Sequence, residues 1–183
     1  MIKVQSRIDF LLFLKQQIPE NSLVVEIGVL HGDFSELILN ILSPSKLFLV
    51  DPYIINENTY SDGLTTSYST EHDYVSILRR FQSQIYNKQI IIDKNYSYIS
   101  VNKYTDGTID AVYLDGSHLY EDVKKDLNDW LPKLKEGSLI CGHDYVNISN
   151  FGVIQAVDEF CTEHNFEMIL FNENGGDWAL KSK

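Results

Sequence analysis

At 183 residues, 44% apolar and 22% charged, the chain has the bulk of one globular domain with a single sizeable core, so one domain over 1–183 is expected. Acids outnumber lysine plus arginine by 26 to 15, a formal charge of -11 with no compensating basic stripe, which argues against a nucleic-acid partner. Cys141 and Cys161 are too few and too far apart for a disulfide scaffold, and no apolar run reaches the roughly 18 residues of a membrane span. The amino terminus also lacks a secretory pattern, so a cytoplasmic chain with no membrane partner is expected.

In chain order, an amino-terminal helical segment within 1–20, centred on 5–18, precedes a series of short apolar runs. LVVEIG (23–28), KLFLVD (46–51), QIIIDK (89–94), IDAVYLD (109–115), SLICGHD (138–144), FEMILF (166–171) and DWALKS (177–182) read as seven strands. Helical patterns follow most of them, the alternation of a parallel sheet with helices on both faces. The clearest puts Leu119, Val123, Leu127, Trp130, Leu131 and Leu134 on one face, with Gly137 as its end; another carries Val153, Ile154, Val157 and Phe160. Only NENGG (172–176) separates the last two strands, too short for a helical crossover, so they should be antiparallel neighbours. The predicted class is α/β, mostly parallel with an antiparallel last strand.

The first strand runs through Gly28 and Gly32 into a helix whose Asp33 and Glu36 have the spacing of a capping box. Glycine admits close approach of a ligand, and the new helix offers unpaired N–H groups to an anion. The turn reads G-V-L-H-G and lacks the G-x-G-x-x-G of a dinucleotide site. Glu26 stands two residues before Gly28, and Asp51 ends the second strand, where a carboxylate can take both hydroxyls of a ribose. Taken singly, Glu26 also suits a backbone cap, and Asp51 before Pro52 a turn. Residues 53–70, with Tyr53, Tyr60 and Tyr68, form the one long polar connection, the kind of loop that serves as a lid or binding loop.

In YLDGSHLYED (113–122) an apolar strand breaks into Asp115, Gly116, Ser117 and His118, and the next strand ends in His143 and Asp144. Asp, Gly and Ser all suit a tight turn. In open α/β sheets, however, ligands sit beyond the carboxyl ends of adjacent strands, which would bring Asp115, His118, His143 and Asp144 together. His31, His72 and His164 read as structural or surface residues, and Cys161 as core.

E-x-G-x-x-x-G followed by a strand ending in Asp resembles the class I S-adenosylmethionine-dependent methyltransferases, whose Rossmann-like seven-stranded sheet also ends in an antiparallel hairpin. VEIGVLHGDFS, LVDPY, the long stretch 109–145 and GVIQAVDEF together resemble the small-molecule group that includes macrocin-type sugar O-methyltransferases and cephalosporin-hydroxylase-like proteins. The resemblance implies S-adenosyl-L-methionine as cofactor, with Gly28 and Gly32 in the turn beneath it and Glu26 near its amino-acid end. It further implies Asp51 on the ribose, Tyr53 near ribose or adenine, Asn95 and Tyr96 bordering the adenine, and Asp115 facing the cofactor. The acceptor implied is a small hydroxylated molecule such as a sugar, and the reading leaves room for a homo-oligomer.

Methyl transfer to a hydroxyl requires alignment and removal of the acceptor's proton. A histidine base is one device, and a divalent cation such as Mg²⁺ that lowers the hydroxyl's pKa is another. Asp115, His143 and Asp144 have the mixed oxygen-rich character of a cation site, although related metal-dependent enzymes carry paired acids or Asp-Asn where this chain has His-Asp. His118 and His143 are both candidate bases, with Asp115 beside them. Two other readings stay open: a cofactor-binding module without turnover, and a metal-dependent hydroxylase-like or hydrolytic enzyme on the same fold.

Overall fold

The structure, a computed structural model, describes residues 7–54, 70–148, 150–171 and 176–182. In chain order the elements begin with α1 (Arg7–Gln17), β1 (Leu23–Ile27), α2 (Asp33–Leu42), β2 (Lys46–Val50), α3 (Glu71–Arg80), α4 (Gln82–Tyr86) and β3 (Ile90–Asp93). They continue with α5 (Ser97–Ser100), β4 (Ile109–Leu114), α6 (Tyr120–Trp130), β5 (Leu134–Gly142), α7 (Val153–His164), β6 (Phe166–Phe171) and β7 (Asp177–Ser182). Among the described residues seven strands form one sheet in the order β3-β2-β1-β4-β5-β7-β6. The first five pair in parallel, and β7 runs antiparallel to both its neighbours, as the short connection before it requires.

Strand periodicity divides the core. Along β1, Val24 faces a cluster with Phe10, Leu14, Phe34, Ile38 and Ile77, from α1, α2 and α3. Val25 and Ile27 face the opposite cluster, built on Val123, Leu127, Trp130, Val157 and Phe160 of α6 and α7. Both faces of the central strands are thereby covered, which is why β4 is buried at all six positions and is apolar except for Asp110, whose carboxylate accepts from Leu23 N and pairs with Lys135.

Three local expectations are corrected. Asp33 and Glu36 do not cap α2; its capping residue is Gly32 in the left-handed region, with no side-chain cap, and the two acids instead bind Arg80 at 2.6 and 2.5 Å. A capping box does form at α3, where Thr70 and Asp73 bond reciprocally. The helix expected to run to Gly137 stops at Trp130, because Pro132 falls in the following 3-10 turn, and Leu134 opens β5. The fifth strand therefore spans 134–142 rather than 138–144, with a register shift opposite 109–111, and His143 and Asp144 lie just beyond it.

Backbone bonds past the strand ends align the tips. Gly28 N donates to Val50 O, Asp115 N to Ile27 O, His143 N to Leu114 O and Asp51 N to Asp93 O, at 2.8 to 3.2 Å. The chain visits β1, β2 and β3 on one side and then crosses to β4 on the other, so the crevice of the reversal opens beyond β1 and β4.

Candidate active site

A cavity of about 520 Å³ occupies that crevice. Its floor is the turn after β1. Gly28 has φ +83°, and a Cβ there would lie 2.1 Å from the carbonyl oxygen of Asp115, so only glycine lets the tips of β1 and β4 approach this closely. Gly32 is constrained differently: a Cβ would strike Ile77 at 2.5 Å, so this glycine seats α2 against α3, and it does not line the cavity.

Asp51 is 3% exposed and ties this floor together. Its Oδ2 accepts from Val29 N and Leu30 N at 2.8 and 3.2 Å, and its Oδ1 accepts from Tyr53 N at 2.8 Å. The turn expected of Asp51 and the cavity position expected of it thus coincide in one carboxylate, since Asp51 also lines the cavity. Tyr53 is buried against Tyr74 with φ +48° and lies behind the lining; the rest of the expected lid, with Tyr60 and Tyr68, lies outside the described residues.

At one end of the cavity stand Arg7, Glu26 and Phe34. Glu26, 1% exposed, accepts from Ser35 Oγ at 2.5 Å; burial pushes its carboxyl up to about 8, against the pull of Ser35 and Arg7. At the other end stand Tyr96, Ser97, Tyr98 and Asp126. Burial raises the Asp126 carboxyl to about 7, and the Ser97 hydroxyl bonded to it also accepts from Trp130 Nε1 at 2.7 Å. Asn95 turns away from the cavity and donates to Asp93 Oδ1 at 2.6 Å.

The expected polar cluster assembles at the tips of β4 and β5. His118 Nε2 lies 2.9 Å from Asp144 Oδ2, and its ring stacks on Phe151 at 4.2 Å. His143 Nδ1 lies 3.3 Å from the same Asp144 oxygen and 3.8 Å from Asp115 Oδ1. Burial alone would raise the Asp144 carboxyl, yet the two imidazoles hold it below the usual carboxylate range. Burial would lower the His143 imidazole, but Asp144 and Asp115 outweigh it and hold it above its ordinary value. Burial lifts Asp115 to about 6 against the opposing charge of Arg7.

Two features differ from the sequence reading. The donor atoms that gather within 4.8 Å of one another belong to Asp115, His118 and Asp144, so His118 rather than His143 completes the three-donor group. Of the two histidines, His118 lines the large cavity and His143 stands behind it. Arg7, by contrast, was missed. Its Nη2 donates to Asp115 Oδ2 at 2.8 Å and to Tyr113 Oη at 3.1 Å, and Tyr113 in turn donates to Asp177 at 2.5 Å. One arginine on a helix of mixed apolar and polar residues gives no local signal of such a role. His31, read from the sequence as a structural or surface residue lying in the cofactor turn, pairs with Asp73 at 2.9 Å and lines the cavity.

A family model described as a methyltransferase domain matches residues 25–145, from β1 to just past β5. The chain belongs to this methyltransferase family. It is an S-adenosylmethionine-dependent enzyme of class I, and the matched residues contain the turn, Asp51 and the whole strand-tip cluster. Solved structures agree in fold. A putative rRNA-methylase from Clostridium thermocellum has a TM-score of 0.71 at 15% identity, covering 100% of this chain and 98% of that one. The O-methyltransferase NovP gives 0.70 at 18%, covering 97% and 80%. SMU.1697c, a putative methyltransferase from Streptococcus mutans in complex with SAH, gives 0.66 at 15%, covering 100% of both chains. An uncharacterized protein of Sinorhizobium fredii, y4gI, is 43% identical over 51 residues, a match of 27% of this methyltransferase and 6% of that protein. Among the described residues no helix is long and apolar enough to cross a membrane.

Proposed function

We propose that this methyltransferase transfers its methyl group to a hydroxyl of a small polar acceptor such as a sugar, with His118 as the base. The carrying observation is the His118–Asp144 pair at the cavity wall: a carboxylate 2.9 Å from the imidazole fixes the ring where it can take a proton. Phe151 stacked on the other side holds the ring plane. The likeness to NovP, an O-methyltransferase, supports oxygen as the acceptor atom.

The cavity suits the cofactor along its length. Glu26 would take the ammonium of the amino-acid end, Asp51 the ribose hydroxyls, and Tyr96 with Ser97 the adenine, while Gly28 lets the chain pass beneath. Asp115, His118 and Asp144 also fit a divalent cation, two carboxylates and an imidazole being a hard, mixed donor set. A bound cation would lower the pKa of an acceptor hydroxyl. Without a cation Asp144 orients His118 as the base, whereas a cation held by all three donors would engage the imidazole and would itself activate the hydroxyl.

Dialysis against a chelator tests the cation. Loss of methyl transfer, restored by Mg²⁺, is expected if the three donors hold a metal. Full activity in chelator would leave the histidine base alone. For the base itself, His118→Ala should lower kcat by about 10² to 10⁴ while SAH affinity stays within about twofold. An unchanged kcat would remove His118 from the chemistry.

A further inference from the structure

We propose that Arg7 holds the carboxylate at the amino-acid end of S-adenosylmethionine. The proposal rests on the cofactor placement above and adds a partner that neither the family motif nor the sequence around Arg7 supplies. Arg7 lies on α1, and the fold carries its guanidinium over the tips of β4 and β7. Nη2 engages Asp115 at 2.8 Å and Tyr113 at 3.1 Å, and Nε lies 3.7 Å from Asp177. Those contacts use one edge of the planar fork. Among the described residues Nη1 has no partner, and the side chain, 33% exposed, lines the cavity.

The surroundings of that free edge favour a carboxylate. The guanidinium lies 4.4 Å from the ring centroid of Phe34, in the first turn of α2, so the ring fixes the plane of the fork and contributes no competing hydrogen bond. No side chain caps α2, which leaves its first N–H groups and the positive end of its dipole at the same corner. Glu26 lines the same end and feels the charge of Arg7. A cation and an acid side by side match the two opposite charges of an α-amino acid. Arginine suits this place better than lysine, because a planar fork can keep Asp115 on one edge and accept a second carboxylate on the other.

The alternative is that Arg7 only clamps Asp115. Calorimetry separates the two with three ligands: SAH, its decarboxylated analogue that keeps the amine, and 5′-methylthioadenosine, which lacks the amino-acid end. Wild-type protein should bind the decarboxylated analogue about tenfold or more weakly than SAH. Arg7→Ala should weaken SAH by a similar factor and leave 5′-methylthioadenosine within about twofold, with Arg7→Lys in between. Equal losses for SAH and 5′-methylthioadenosine in Arg7→Ala would overturn the proposal, as would wild-type protein that binds the decarboxylated analogue as tightly as SAH. The wild-type comparison decides the matter even if Arg7→Ala does not fold. Wild-type protein that binds neither SAH nor 5′-methylthioadenosine would instead overturn the cofactor placement on which the proposal stands.

Discussion

Glu26 is a carboxylate in a strand buried at every position but its first, and its position carries a measurable consequence. Burial raises its pKa from the usual carboxylate range to about 8, and an ammonium bound beside it would draw it back down. A raised folded pKa means that its contribution is complete below the unfolded pKa and is lost as pH climbs from about 4.5 to about 8. Glu26→Gln keeps an oxygen acceptor for Ser35 and removes the titration. Thermal unfolding from pH 5 to 8 should therefore show the variant gaining on wild type by a few kcal/mol at the alkaline end. Parallel curves would mean that Glu26 is ionised when folded. Asp144 behaves oppositely: its lowered pKa stabilises the fold above the unfolded carboxylate range and is lost only in acid. At this scale the strand-end polar residues were legible, since Asp115, His118, His143 and Asp144 each interrupt or follow an apolar run. Arg7 was not, because only tertiary folding brings residue 7 within 2.8 Å of residue 115.

Among the elements, the turn from β1 to α2 and the capping box of α3 make the sharpest commitments. Gly28→Ala asks a β-carbon to occupy the space of the Asp115 carbonyl from a left-handed backbone. The tips of β1 and β4 must part, so this variant should lose SAH binding altogether and unfold at lower denaturant. Normal affinity would show that the approach is not needed for the cofactor. Thr70→Ala removes the cap oxygen of α3, and urea unfolding should register a loss of about 1 kcal/mol. The strands were readable because β-rich apolar runs end abruptly in Gly, Asp or Ser. The end of α6 was not, because Leu131 and Leu134 prolong the helical period beyond Trp130, and Pro132 outweighs that pattern. The box at Thr70 did carry a sequence signal, Thr-x-x-Asp, but it follows a long polar connection that masks the start of a helix.

For the molecule as a whole, the sheet order decides where chemistry can occur. With β1 and β4 adjacent at the reversal, one end of the cavity is walled by α1 and α2 and the other by α5 and α6, so a long ligand crosses the sheet edge over Gly28. On the proposed cofactor placement the methyl donor lies beside the tips of β4 and β5, where His118, Asp115 and Asp144 meet. Transfer of a labelled methyl group from S-adenosylmethionine to a panel of sugars, with the product's new bond located by mass spectrometry, tests the central claim most directly. Wild-type protein should yield an O-methyl ether from at least one sugar, and His118→Ala should yield almost none. A methyl group placed on nitrogen, or sugar methylation undiminished in His118→Ala, would contradict it.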